Sequence, residues 1–221
     1  MPPYLSREEY FTAWAQWHGG TDPRRSPVVQ GWLTLAHTLA RPLAGTSPLV
    51  ATLVGLAVAG AAVAPAAAGG PWLLLAGALV GASGLLDSLD GALAIAGGRA
   101  TRRGYVLDSA VDRLTEVGYA TALWVAGAPG WLAVVFGALC WFPDYLRARA
   151  GQAGVDETGA ISVWERPARV AVVAMTLVGA GVVSGAAGLA ELVVLLGAAA
   201  GALLGAVGSG QLAVQLRRAL G

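Results

Sequence analysis

The chain has 221 residues, of which 56% fall in the AVILMFWYC class and 32 are glycine, so roughly 70% is apolar or glycine against about 45–50% for a soluble domain. That balance, with only 12% charged residues, argues against a water-soluble single domain and excludes intrinsic disorder for want of polarity. The net charge of +1 excludes a basic nucleic-acid binder, and the single cysteine, Cys140, excludes a disulfide framework or a multi-cysteine zinc site.

Residues 1–26 contain Glu8, Glu9 and Asp22 and no apolar run before Pro27, which reads as an N-terminal cytoplasmic extension that stays on the protein rather than a cleaved signal. Over about 27–43, Val28, Val29, Trp32, Leu33, Leu35, Ala36, Leu39 and Leu43 recur at roughly helical spacing, with Gln30, Thr34, His37 and Arg41 between them. The pattern predicts an amphipathic helix lying at the cytoplasmic membrane interface, or one packed on the membrane domain through the same face. His37 falls on its polar side and reads as a surface histidine at headgroup level, while His18 sits in a Gly/Pro-rich stretch that carries no signal.

The remainder, 27–221, reads as one membrane domain. Four stretches, Pro42–Leu86, Val117–Pro143, Val170–Ala190 and Leu192–Leu216, contain no charge, and each is long enough for at least one crossing of about 20 residues. Breaking them at glycine, proline and charge punctuation predicts six transmembrane helices, at about 48–68, 71–97, 104–127, 130–150, 168–185 and 189–213. Lysine is absent, and Arg41, the Arg99–Arg102–Arg103 group, the Arg147–Arg169 group and Arg217–Arg218 fall before span one, between two and three, between four and five, and after six. Positive charge marks the cytoplasmic side, so the predicted fold class is an all-α, six-span, multi-pass cell-membrane protein with both termini cytoplasmic.

Asp87, Asp90, Asp108 and Asp112 fall near the cytoplasmic ends of spans two and three. The i, i+3 and i, i+4 spacings put each pair on one helical face, so two helices can aim four carboxylates at one point. Four clustered negative charges call for hard cations between them, and carboxylate oxygens suit Mg²⁺ or Mn²⁺, with two ions expected. The competing reading is salt bridging to Arg99, Arg102, Arg103 and Arg113. Glu116 continues the face of Asp108 and Asp112 and reads as a supporting group.

The run Asp87-Ser-Leu-Asp90-Gly91-Ala-Leu-Ala94-Ile95, followed after eight residues by Gly104 and then by Asp108 and Asp112, resembles the signature of the CDP-alcohol phosphotransferases, matching seven of its eight fixed positions. Ser47-Pro48 with Thr52 and Gly55 resembles the start of that family's first span. Tyr145-Leu-Arg147-Ala-Arg149-Ala and Glu165-Arg166-Pro167-Ala-Arg169 are similar to segments of the actinobacterial phosphatidylinositol-phosphate synthases. The departure is Ile95, where the family has arginine; either Arg99, Arg102 or Arg103 then supplies the cationic contact to the pyrophosphate, or activity is altered.

The resemblance implies that Asp87, Asp90, Asp108 and Asp112 face two metal ions and that Asp112 serves as general base. It also implies that Asp87, Asp90, Gly91, Ala94, Gly104 and Thr52 bind CDP. The implied reaction moves the phosphatidyl group of CDP-diacylglycerol to a small polar alcohol, releasing CMP, on the cytoplasmic side of the bilayer and in a homodimer. Arg147, Arg166 and Arg169 lie at the same level as the aspartates and suit the phosphate of an acceptor such as inositol phosphate or glycerol phosphate. The rival functions are a six-span cation or proton transporter, which calls for acids near the midplane and paired discontinuous helices, and an inactive family member. Cys140 reads as an inert packing residue.

Overall fold

The computed structural model describes residues 4–17, 22–155 and 162–220; His18 and Gly159 lie outside them. Among the described residues the chain is all helical. It runs through α1 (Arg7–Trp17), α2 (Pro27–Ala40), α3 (Pro48–Ala61), α4 (Val63–Ala68), α5 (Trp72–Ala96), α6 (Arg102–Val125), α7 (Gly130–Gln152), α8 (Arg166–Val182) and α9 (Leu189–Leu220), with short 3-10 turns at Pro23–Arg25 and Arg41–Leu43. Helices thus stand at each position the sequence predicts. Pro48–Ala68, Trp72–Ala96 and Leu189–Leu220 are long and apolar enough to cross a membrane. By contrast, α8 has 17 residues, and the first half of α6 is dense in charge.

Two boundaries shift for local reasons. The first apolar segment is interrupted at Ala62, because Pro65 has no N–H for the carbonyl of Ala61 and its ring crowds that turn. The last helix runs seven residues beyond the expected 213 and takes in Arg217 and Arg218. At 32 residues it is about 48 Å long, more than the roughly 30 Å hydrocarbon core.

The main core joins Leu73 and Val80 of α5, Tyr119 and Leu123 of α6, Phe136 of α7, Trp164 just before α8, Val173 and Leu177 of α8, and Val194 of α9. The contact that matters most for the site is that of α5 with α8. A Cβ on Gly77 would lie 2.7 Å from the Ala174 carbonyl oxygen, and one on Gly84 2.6 Å from Cγ1 of Val170. These glycines, two turns apart, form a seam that lets α8 lie against the α5 backbone. One turn further along, the same seam brings Arg166 to Asp87.

The N-terminal segment differs from the sequence reading. Residues 7–17 form α1, which starts at a reciprocal cap: the Ser6 amide donates to Glu9 Oε2 at 2.8 Å and the Glu9 amide to Ser6 Oγ at 3.4 Å. Tyr10 and Phe11 are buried with Leu33, Ala36 and Ala40 of α2 and Leu89, Leu93 and Ala96 of α5 in a second core. The Leu5 amide donates to the Ala96 carbonyl at 2.9 Å, so the segment is fastened to the end of α5. Of the two readings for α2, the packed one describes its inner face. His37 is not a surface group: it is 8% exposed, its Nε2 lies 2.9 Å from the Leu5 carbonyl, and its ring sits between those of Tyr4 and Tyr10.

Candidate active site

The site lies where α5 and α6 face each other with α3 packed on both. The hydroxyl of Thr101 accepts from the Gly104 amide at 3.0 Å, which starts α6 at Arg102 and sets Asp108 and Asp112 one turn apart on its inner face. Asp87 and Asp90 occupy the matching face of α5. One carboxylate oxygen from each of Asp87, Asp90 and Asp108 lies within 4.8 Å of the other two. Asp90 is 5% exposed, and its Oδ2 and the Asp108 Oδ1 are buried with no hydrogen-bond partner. Buried carboxylate oxygens left without donors are strongly unfavourable unless a cation supplies the missing charge. Three all-oxygen donors at this separation therefore fit a hard divalent cation such as Mg²⁺ or Mn²⁺.

Asp112 stands beside this trio with a protein partner. Arg166, at the first turn of α8, donates through Nε to Asp87 Oδ2 at 2.8 Å and places Nη1 2.8 Å from Asp112 Oδ1. The start of α8 is fixed by Glu165, whose Oε1 accepts from the Ser162 amide at 2.8 Å and the Ser162 hydroxyl at 2.9 Å. Thr52, Gly55, Asp87, Asp90, Thr115 and Arg166 line one narrow cleft. Gly91 has open space where a side chain would be, whereas a Cβ on Gly104 would come 3.1 Å from the Thr101 hydroxyl. Ala94 is half-buried on α5.

Of the expected salt-bridge partners, Arg113 forms a loose ion pair with Asp112 and the others are placed elsewhere. Arg99 donates to the Ala44 carbonyl at 2.7 Å, Arg102 and Arg103 are exposed, and Arg113 Nη2 stays 3.8 Å from Asp112. The arginine that meets the aspartates is Arg166, which the sequence pointed to for another purpose.

A turn deeper lies a second charged cluster, to which each of three helices contributes one acid and one arginine: Arg113 and Glu116 from α6, Asp144 and Arg147 from α7, and Glu165 and Arg169 at the start of α8. Arg169 is 2% exposed; its Nη1 donates to Glu116 Oε1 at 2.5 Å and to Asp144 Oδ2 at 2.9 Å, and its Nε to the Trp164 carbonyl at 3.1 Å. Asp144 also accepts from Arg113 and, at 3.2 Å, from Arg147. Arg147 reaches Glu165 at 2.5 Å. Arg169, expected among groups reaching an acceptor phosphate, is thus enclosed by protein carboxylates. Glu116, expected to support the aspartates, pairs with arginines instead. Sequence reasoning gave Asp144 no role; the available signal was its i, i+3 spacing to Arg147, which repeats the Arg113 to Glu116 step.

A sequence model described as CDP-alcohol phosphatidyltransferase matches residues 45–203. The archaetidylinositol phosphate synthase of Methanothermobacter thermautotrophicus is 36% identical over 126 residues, covering 55% of this chain and 61% of its own length. The phosphatidylinositol phosphate synthase of Mycobacterium marinum is 41% identical over 105 residues, 44% of this chain and 43% of that one. The chain therefore spans less than two thirds of either relative. Among solved structures, Mycobacterium tuberculosis phosphatidylinositol phosphate synthase with CDP-DAG bound aligns with a TM-score of 0.60 at 25% identity, over 81% of this chain and 94% of that one. The same enzyme in complex with manganese and citrate aligns with a TM-score of 0.60 at 26% identity, over 80% and 88%.

Proposed function

Since the chain belongs to the CDP-alcohol phosphatidyltransferase family, we propose that it transfers the phosphatidyl group of CDP-diacylglycerol to the hydroxyl of a small polar alcohol and releases CMP. The observation that carries this reading is the trio Asp87, Asp90 and Asp108, with two buried oxygens lacking donors and Asp112 alongside. The likeness to synthases of inositol phosphate lipids favours a phosphorylated acceptor, inositol phosphate ahead of glycerol phosphate.

Asp87, Asp90 and Asp108, with Asp112 facing them, would hold two divalent ions, Mg²⁺ or Mn²⁺, which would supply positive charge opposite the pyrophosphate and the departing CMP. Asp112 accepts the proton of the attacking hydroxyl as the new oxygen–phosphorus bond forms and the bond to the CMP oxygen breaks. Arg166 orients that carboxylate through Nη1. Thr52, Gly91, Ala94 and Gly104 line the CDP pocket, where small side chains leave room for the nucleotide. Arg147 and Arg166, 32% and 17% exposed at the side chain, present guanidinium donors to the acceptor phosphate, with Arg169 anchored behind them.

In this reading residues 27–221 are the membrane domain and 1–26 the cytoplasmic extension. The six crossings are α3 with α4, then α5, α6, α7, α8 and α9, with both termini and the active site on the cytoplasmic side of the cell membrane, in a homodimer. Outward apolar side chains on the less apolar helices support it: Trp131 is 68% exposed, Val134 71% and Val182 71%, which suits contact with lipid.

The test is CMP release by purified protein supplied with CDP-diacylglycerol, Mn²⁺ and inositol phosphate. Turnover that stops in chelator and returns with metal is expected; turnover that persists in chelator overturns the reading. Single cysteines placed at Arg102 and Arg217 in a Cys140→Ser background should be labelled only from the cytoplasm, and those at Gly70, Pro129 and Gly185 only from outside.

A further inference from the structure

We propose that Asp144 is a positioning residue that holds Arg113 away from Asp112 and so keeps the acidic cluster open to a divalent cation. The inference rests on the metal-binding reading above. Asp112 and Arg113 are neighbours on α6, and consecutive helical residues diverge by about 100°. Asp112 therefore faces the cluster while Arg113 faces α7. A long, flexible guanidinium beside four carboxylates nevertheless has every electrostatic reason to turn toward them. Its Nη2 already lies 3.8 Å from Asp112 Oδ2. What opposes the turn is on the other side: Arg113 Nη1 donates to Asp144, and its Nε lies 3.0 Å from Glu116 Oε2.

Glu116 alone does not suffice to hold it. Glu116 is 1% exposed and is also the partner of Arg169, itself 2% exposed, and a buried arginine cannot be left without a counter-charge. With the Asp144 charge removed, Arg169 retains Glu116, Arg147 retains Glu165, and Arg113 is left to share Glu116 with Arg169, through Nε at 3.0 Å and Nη2 at 3.3 Å, with its Nη1 freed. The nearest other carboxylate to that guanidinium is Asp112, 3.8 Å from Nη2. A cation gained there weakens a second cation's binding whether or not Asp112 is itself a ligand.

The measurement is Mn²⁺ binding to the intact solubilised protein by calorimetry. Asp144→Asn should weaken binding tenfold or more. Adding Arg113→Gln should restore it to within threefold of the unmutated protein, whereas adding Arg147→Gln, which removes the same charge from the same carboxylate, should not. Arg113→Gln by itself should leave affinity unchanged or tighter, and this variant answers the question even where Asp144→Asn does not fold. Equal rescue by both arginine substitutions would reduce Asp144 to its net charge and overturn the proposal, as would weaker binding in Arg113→Gln or unaltered binding in Asp144→Asn. Failure of the unmutated protein to bind Mn²⁺ would overturn the metal-binding reading itself.

Discussion

Two clusters of acids and arginines sit side by side, built from the same residue types and sharing α6 and α8, with α5 completing one and α7 the other. In the deeper one, Glu116, Asp144 and Glu165 are matched by Arg113, Arg147 and Arg169, and each helix brings one charge of each sign. In the other, Asp87, Asp90, Asp108 and Asp112 have one closely bound arginine, Arg166, with Arg113 a looser partner 3.8 Å from Asp112. The first is electrically closed and ties α6, α7 and α8 together. The second carries an excess of negative charge that the protein does not neutralise. Balance rather than burial separates architecture from function here, since a closed network has nothing left to bind with and a deficient one is destabilising until a ligand completes it.

The largest effect expected from that difference is in the deficient cluster. Asp87→Asn, Asp90→Asn or Asp108→Asn preserves size but removes the charge a cation needs. CMP release should fall at least about 10³-fold, on the order of 4 kcal/mol of transition-state stabilisation, with thermal stability unchanged or raised as repulsion is relieved. Near-normal turnover in any of the three would erase the distinction between the clusters. The closed cluster should respond the other way. Arg169→Ala leaves the closed network one positive charge short, with Arg113 the remaining partner of the buried Glu116 while also held by Asp144, so unfolding in detergent should show a loss of about 3–5 kcal/mol, while the folded fraction keeps Mn²⁺ affinity within a few-fold.

Asp112 lies on the border between the two, with Arg166 on one side and Arg113 on the other. Asp112→Asn should lower kcat by about 10²–10⁴-fold, the range for a lost general base, and leave CDP-lipid binding largely intact because the trio remains. Loss of CDP-lipid binding, measured by calorimetry, would move Asp112 wholly into the ligand set.

The deficient cluster was legible in the sequence because spacing alone puts Asp87 with Asp90 and Asp108 with Asp112, and no shorter-range rule explains four acids in apolar surroundings. The closed cluster was not, because its pairs between helices are 18 to 53 residues apart, and nothing local says that Asp144 meets Arg169 rather than water. The same limit hid α1. Its aromatic residues Tyr10, Phe11 and Trp14 share one side of a short helix, but they become a core only by docking on α2 and α5. That spacing and the Ser6 to Glu9 step were its local signs. His37 was misplaced for the related reason that its cover comes from Tyr4 and Tyr10, more than 25 positions away along the chain. The helix positions needed no such distant information, since uncharged runs and arginine punctuation fix them.

A smaller effect is expected at Arg147, which is matched within the closed network by Asp144 and Glu165 yet is 32% exposed at the side chain. Arg147→Ala should raise the KM for a phosphorylated acceptor by about tenfold or more, from roughly 1.5–3 kcal/mol for a charge-assisted contact, with CDP-lipid binding little changed. Equal use of unphosphorylated inositol by the unmutated protein would leave Arg147 as part of the framework alone.

The smallest effect concerns Ile95, where a family arginine is absent. Ile95 packs against the second core, on the α5 turn that follows Gly91 and the open space beside it. Arg99, one turn on, is held by the Ala44 carbonyl at 2.7 Å, and Arg102 and Arg103 are exposed at the start of α6. Ile95→Arg would add a charge-assisted contact to the pyrophosphate, about 1.5–3 kcal/mol. It would also give up part of a half-buried aliphatic side chain, about 1 kcal/mol. The net is about 0.5–2 kcal/mol, so affinity for CDP-diacylglycerol should tighten between about 2-fold and 30-fold, with the Mn²⁺ requirement unchanged. No tightening would mean that a neighbouring arginine already supplies that charge once the nucleotide binds. Arg99→Gln would then weaken CDP-lipid binding in the unmutated background and identify which residue took over the position.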